Sequence, residues 1–157
     1  MRVTVVAVGR LRSGPEADLA ADYLARFERT GRPLGLGPCR MVEVEDRRGG
    51  GAGAESALIA QALPSAATLV LLDERGSALS SPDFAVRLRR WADAGRRDLA
   101  FAIGGADGHA PALRERAEVV MSFGPMVWPH MLARVMLAEQ LYRASSILAG
   151  SPYHRGG

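Results

Sequence analysis

Thr68-Leu69-Val70-Leu71-Leu72-Asp73-Glu74-Arg75-Gly76 is an unbroken apolar run followed at once by three charged residues and a glycine. Apolar side chains at every position, not every second one, mark a strand buried on both faces. Asp73 to Gly76 then reads as the turn that takes the chain away from it. Downstream, Ser80 or Ser81 can cap a helix with Pro82 in its first turn and Phe84, Leu88 and Trp91 as its apolar stripe, ended by Gly95. Leu99 to Ile103 is another apolar strand, followed by Gly104-Gly105-Ala106-Asp107-Gly108.

Upstream the same alternation holds. Val3 to Val8 is a β-branched run that stops at Gly9. Pro15 to Arg29 has helical periodicity, with Leu19, Tyr23 and Phe27 on one face. Thr30 to Pro38 reads as a loop, Arg40 to Val44 as a strand, Arg47 to Gly53 as a solvated loop and Glu55 to Leu63 as a short helix. Beyond the centre come a helix from Pro111 to Ala117, the apolar run Val119 to Met121, and a final helix from His130 to Ala149. Strands alternating with helices predict one α/β domain over residues 1–157, with a mostly parallel sheet and helices on both faces.

The composition narrows the chemistry. All 20 basic residues are arginine, so no side-chain amine can form a Schiff base and no P-loop lysine exists. The net charge of +3 permits a nucleic-acid partner without requiring one. One cysteine, Cys39, excludes an intrachain disulfide, and its apolar surroundings read as core. Three dispersed histidines give no metal-ligand spacing, so no metal is expected. The N-terminal run has no signal-peptide pattern and no segment reaches the ~20 apolar residues of a membrane span, so a cytoplasmic protein without a membrane partner is expected.

In open α/β sheets, ligands bind beyond the carboxyl ends of the strands. Leu72 to Gly76, Ile103 to Gly108 and Phe123 to Trp128 occupy such positions. The dinucleotide fingerprint G-x-G-x-x-G is absent, which argues against a conventional NAD-binding enzyme. Glu139 and Arg143 are spaced for an ion pair on the last helix. The tail Tyr153-His154-Arg155 sets an aromatic ring, an imidazole and a guanidinium in sequence, able to stack a base, move a proton and bind a phosphate. His109, beside Pro111 in a loop, is expected to be solvated. His130 stands at a helix start and reads as structural or as a ligand.

Six motifs then stand in order: Leu72-Asp73-Glu74-Arg75-Gly76; Ser80-Ser81-Pro82-x-Phe84-Ala85; Phe101 to Gly108; Pro129-His130-x-Leu132-x-Arg134-Val135; Glu139-Gln140-Leu141-Tyr142-Arg143-Ala144; and Pro152-Tyr153-His154-Arg155. Over nearly the full length the chain resembles the RlmH family, SPOUT-class 23S ribosomal RNA pseudouridine methyltransferases. The resemblance implies a SPOUT α/β knot, in which the C-terminal part threads into a trefoil, and a homodimer. It implies S-adenosylmethionine as cofactor, in a pocket lined by Leu72, Gly104, Phe123, Gly124, Pro125, Met126, Val127 and Trp128. Tyr153, His154 and Arg155, with Arg143, would form the target-base site, completed across the dimer. The family's more polar stretch before Pro-His is replaced here: Val127 offers no hydroxyl and Pro125 no N–H.

The reaction so implied is methyl transfer to ring nitrogen 3 of a pseudouridine in 23S rRNA, on the ribosome. His154 would take the proton, Arg155 and Arg143 would hold phosphate or an anionic base oxygen, and Tyr153 would stack. Arg12, Arg47, Arg48 and Arg134 are further candidates for contacting rRNA. The alternatives are a noncatalytic ribosome-assembly factor with the same fold, or a SPOUT enzyme acting on tRNA.

Overall fold

The computed structural model describes residues 1–155. Five parallel strands, β1 (Arg2–Val8), β2 (Cys39–Val44), β3 (Thr68–Ala78), β4 (Asp98–Ile103) and β5 (Val119–Ser122), form one sheet in the order β2-β1-β4-β3-β5. Five helices connect or follow them: α1 (Pro15–Gly31), α2 (Gly51–Ala62), α3 (Ser81–Asp93), α4 (Pro111–Arg116) and α5 (His130–Leu148). Among the described residues no helix is long and apolar enough to cross a membrane.

The two-residue period of the strands separates two cores. Val3, Val5 and Ala7 of β1 share one face with Phe101 and Ile103 of β4, and α1, α3 and α5 cover it with Phe27, Phe84, Leu88, Trp91, Leu137 and Leu141. Val6, Val8, Leu69, Leu71, Ala100 and Ala102 point to the opposite face, where Ile59 of α2 and Leu113 of α4 meet them. Each fully buried Leu or Phe contributes about 1.5–3 kcal/mol of transfer free energy. Ser80 caps α3 as expected, its Oγ accepting from the Asp83 N–H at 3.2 Å. Leu19 departs from expectation: it is exposed, and only Phe27 of its proposed stripe is fully buried. The reason is that α1 packs on α5 rather than squarely on the sheet.

Three local expectations change. Thr30 to Pro38 contains the end of α1 and a 3-10 turn at Arg32–Leu34. The Arg47 to Gly53 loop is shorter, because α2 already starts at Gly51. Asp73 to Gly76 is not a turn away from the sheet but an irregularity inside a longer β3, which pairs with β5 both before it at Leu72 and after it at Ser77. Gly76 is required there, since a Cβ on it would lie 2.6 Å from the Val120 carbonyl oxygen.

The path beyond β4 positions the site. The chain leaves β4, passes β3 to form the edge strand β5, and returns as α5 to lie against α1. This crossing is compatible with the C-terminal knot that the resemblance implies.

Candidate active site

The carboxyl ends of β3, β4 and β5 converge on a cavity of about 500 Å³, within the size range of small-molecule sites. Leu72, Gly104, Phe123, Gly124, Met126, Val127 and Trp128 line it; Pro125 does not. Asp73, Glu74, Arg75, Ile103, Asp107, His130 and Ala133 complete much of the wall. Met126 and Val127 are 71% and 80% exposed, and Trp128, Met131 and Leu132 also reach solvent. The Met126 to Trp128 side of the cavity is therefore apolar and exposed, while Glu74, Arg75 and Asp107 make the exposed part of the β3 and β4 side charged.

Close backbone packing builds the walls. At Gly104 a Cβ would meet the Gly108 carbonyl oxygen at 3.0 Å and His109 Cε1 at 3.1 Å. At Gly105 it would meet a Glu55 carboxylate oxygen at 2.5 Å, so any side chain would force that carboxylate aside. On the β5 side, the Ser122 hydroxyl accepts from the Gly124 N–H at 3.0 Å and lies 3.1 Å from the Glu74 carbonyl oxygen. That links the two loops on opposite sides of the cavity.

His109 is not solvated. It is 6% exposed, and its Nε2 lies 3.1 Å from the Leu72 carbonyl oxygen. A carbonyl only accepts, so Nε2 carries the hydrogen and Nδ1 is a bare lone pair, buried without a partner. Burial lowers the imidazole pKa, with Arg114 adding to it, against the opposing pull of the Leu72 carbonyl and Asp73.

Asp73 is the buried acid of the site, its side chain 4% exposed. Burial alone would raise its pKa, but the Arg75 N–H at 2.9 Å and the Arg114 guanidinium outweigh that and hold it below the usual carboxylate range. Glu74 and Asp107 add two more carboxylates to the lining, against the single guanidinium of Arg75. The cavity thus favours a ligand with net positive charge.

The tail gathers elsewhere. Residues Pro152–Arg155 form a 3-10 turn against the C-terminal half of α5. Glu139 is its centre: its Oε1 accepts from Arg143 Nε at 2.9 Å and Nη2 at 2.7 Å, and from the Tyr153 hydroxyl at 3.0 Å. The expected Glu139–Arg143 pair therefore forms, but half-buried rather than at the surface. The Arg143 guanidinium lies 4.8 Å from the Tyr153 ring centre and 3.4 Å from His154 Nδ1. Burial, then hydrogen bonding with Tyr23 and the hydrogen bond that the phenol donates to Glu139, push the Tyr153 phenol well up. Tyr153 also packs on Tyr142 at 4.5 Å, and Tyr142 on Tyr23 of α1 at 6.3 Å. Arg143, Tyr153 and His154 are thus brought together, while Arg155 is exposed beside them.

The structure does not bring this cluster to the cavity of the same chain. Ala133 lines the cavity, and Arg143 stands ten residues further along α5, about 15 Å at 1.5 Å per residue. Arg134 is also relocated from its expected place on an RNA-facing surface. It is 2% exposed, donates to the Val8 and Gly9 carbonyl oxygens at 2.7 Å each, and pairs with Glu43 at 2.9 Å. It is an internal clamp between α5, β1 and β2. Among the described residues, no three His, Cys, Asp or Glu side chains are grouped to hold a metal ion.

Sequence reasoning placed the Leu72 to Gly76 segment at the site without singling out Arg75, and missed the buried His109 beside it, whose ring packs against Gly104. A local signal existed only for Arg75, inside the motif after β3.

Comparison with known proteins gives three findings. Among solved structures, the SpoU methyltransferase AviRb of Streptomyces viridochromogenes, in complex with AdoMet, aligns with 96% of this chain and 59% of its own at 15% identity and a TM-score of 0.43. "Ribosomal RNA large subunit methyltransferase H" of Ruegeria pomeroyi is 67% identical over 155 residues, 99% of each chain, and the protein of that name from Cereibacter sphaeroides strain ATCC 17023 is 69% identical over the same coverage. A family model described as "Predicted SPOUT methyltransferase" matches residues 1–154. On these full-length matches, the chain belongs to the SPOUT methyltransferases, in the branch of the large-subunit ribosomal RNA methyltransferases H.

Proposed function

We propose that this protein methylates ring nitrogen 3 of a pseudouridine in 23S rRNA, on the assembled ribosome, with S-adenosylmethionine as methyl donor. The observation that carries the cofactor is the character of the cavity. Its apolar walls suit the faces of an adenine ring, and its glycine-lined loops expose backbone donors and acceptors to the ring edge. With Asp73 paired to Arg114, Glu74 and Asp107 against the Arg75 guanidinium still leave a negative excess, which suits a ligand bearing a sulfonium and an ammonium. Leu72, Gly104, Phe123, Gly124, Met126, Val127 and Trp128 would hold it, with Pro125 shaping the loop from outside.

The bound cofactor supplies an electrophilic methyl group. The chain's own residues would do the rest. Held against Arg143, which can only donate, His154 Nδ1 is an acceptor and Nε2 carries the hydrogen. When Arg143 turns to an RNA phosphate, Nδ1 is free to take the proton from ring nitrogen 3. The released lone pair is then the nucleophile. Tyr153 stacks or orients the base, and Arg155 meets phosphate. Positioning the two reactants in line supplies most of the acceleration.

The separation of cavity and tail along α5 favours a homodimer in which one copy's tail serves the other's cavity. The uncovered apolar residues Met126, Val127, Trp128, Met131 and Leu132 fit burial against a second copy. The working compartment on this reading is the cytoplasm.

The test is transfer of label from methyl-labelled S-adenosylmethionine to intact ribosomes lacking the modification, beside naked rRNA and tRNA. Label on a large-subunit pseudouridine supports the proposal. Label on tRNA alone overturns the substrate, and absence of cofactor binding leaves the assembly-factor alternative. Mixing a His154→Ala chain with a Gly105→Phe chain tests the shared site. Activity restored by mixing two inactive variants requires it, and none restored refutes it.

A further inference from the structure

We infer that Arg75 is the specificity residue of the cavity, binding the carboxylate of the ligand's amino-acid tail. The inference rests on S-adenosylmethionine being the ligand.

Arg75 lines the cavity and its side chain is 70% exposed. Its backbone N–H is fixed on Asp73 Oδ1 at 2.9 Å, while its Nε reaches the same oxygen only at 3.4 Å. Arg114 already occupies Asp73 Oδ2. Asp73 is therefore satisfied without the Arg75 guanidinium, and the latter is steered rather than consumed. Among the described residues, its two terminal nitrogens make no hydrogen bond. They form the planar fork that grips a carboxylate in a bidentate way.

The surroundings select that role. Gly108, at a φ of 73°, lets its loop run beside the guanidinium; a Cβ there would lie 3.8 Å from Arg75 Nη2 and 3.5 Å from Asp73 Oδ2. Among the described residues Arg75 is the only arginine in the lining, whereas Glu74 and Asp107 are carboxylates. A zwitterionic tail matches this set, with its carboxylate on Arg75 and its ammonium toward Glu74 or Asp107. An RNA phosphate at the same place would meet two repelling carboxylates.

Calorimetry on the purified protein with S-adenosylmethionine and decarboxylated S-adenosylmethionine tests this, since the two differ only by that carboxylate. The wild-type protein should favour the carboxylate-bearing ligand by about tenfold or more, the range of a charge-assisted hydrogen bond. Arg75→Gln should bring the ratio near one while leaving affinity for the decarboxylated ligand unchanged, which also certifies a folded pocket. A ratio equal in wild type and variant overturns the inference while leaving the cofactor reading intact. The same equality with a raised KM for ribosomes moves Arg75 to RNA phosphate. Binding of neither ligand by the wild type overturns the cofactor reading itself, and this inference with it.

Discussion

Replacing His109 by Gln should flatten the dependence of stability on pH between 7.5 and 5.5. His109 is 6% exposed, donates through Nε2 to Leu72, and keeps Nδ1 bare and unpartnered. Protonating Nδ1 would bury a charge with no acceptor, and burial accordingly depresses its pKa. The unfolded chain titrates this group near 6.5. Above that value both states are neutral and the residue contributes no pH dependence. Below it the unfolded state takes up the proton first, so stability falls as pH drops until the folded pKa is reached. Two pH units from 7.5 to 5.5 therefore remove at most about 1.4 kcal/mol through this group. Gln retains an N–H for the Leu72 carbonyl and does not titrate. Asp73, also depressed, acts in a separate window, because its stabilisation is lost only as pH falls below the ordinary carboxylate pKa of ~3.9. Urea unfolding of both proteins at pH 7.5, 6.5 and 5.5 gives the comparison. Equal slopes for wild type and variant would refute a buried neutral imidazole.

Arg134→Met should cost about 3 kcal/mol in urea unfolding, because the Val8 and Gly9 carbonyls and Glu43 lose their shared partner. Arg134→Lys should recover little of this, an ammonium being unable to reproduce the fork; full recovery would contradict the clamp. Gly76→Ala should destabilise by about 1–3 kcal/mol, through collision with the Val120 backbone and loosening of β5, and an unchanged melting temperature would show that the strand accommodates a side chain. His154→Ala should lower single-turnover methyl transfer about 10²- to 10⁴-fold while leaving cofactor affinity alone; retained transfer would end its role as proton acceptor.

The strands were legible because runs such as Thr68 to Leu72 and Leu99 to Ile103 are buried on both faces, and only a central parallel strand asks for that. Their spatial order was not, since nothing in Val119 to Met121 says that it pairs beyond β3 rather than beside β4. Asp73 to Gly76 looked like a turn because charged residues and glycine break most strands. Here the sheet tolerates them in a bulge that delivers their side chains to the cavity. His109 was misjudged because its partner, Leu72, lies 37 residues away. The strand-end rule picked out the loops and side-chain chemistry picked out the tail, but their cofactor and target-base roles came from resemblance, and the contacts on Glu139 that organise the tail are tertiary. The i,i+4 spacing announced Arg143 as a partner, but not Tyr153.

The late addition of β5 has a consequence during synthesis. β3 ends at Ala78 and its edge partner begins at Val119. At roughly 5–20 residues per second, the roughly forty intervening residues take about 2–8 s to make. Throughout that interval the edge of Thr68 to Leu72, which carries no charged residue, has no neighbour on one side. A strand without charge or proline at an open edge is the kind that recruits other chains. The nascent protein thus passes through a window of vulnerability that closes only as its last quarter arrives, and growth temperature or translation rate would set how long that window lasts.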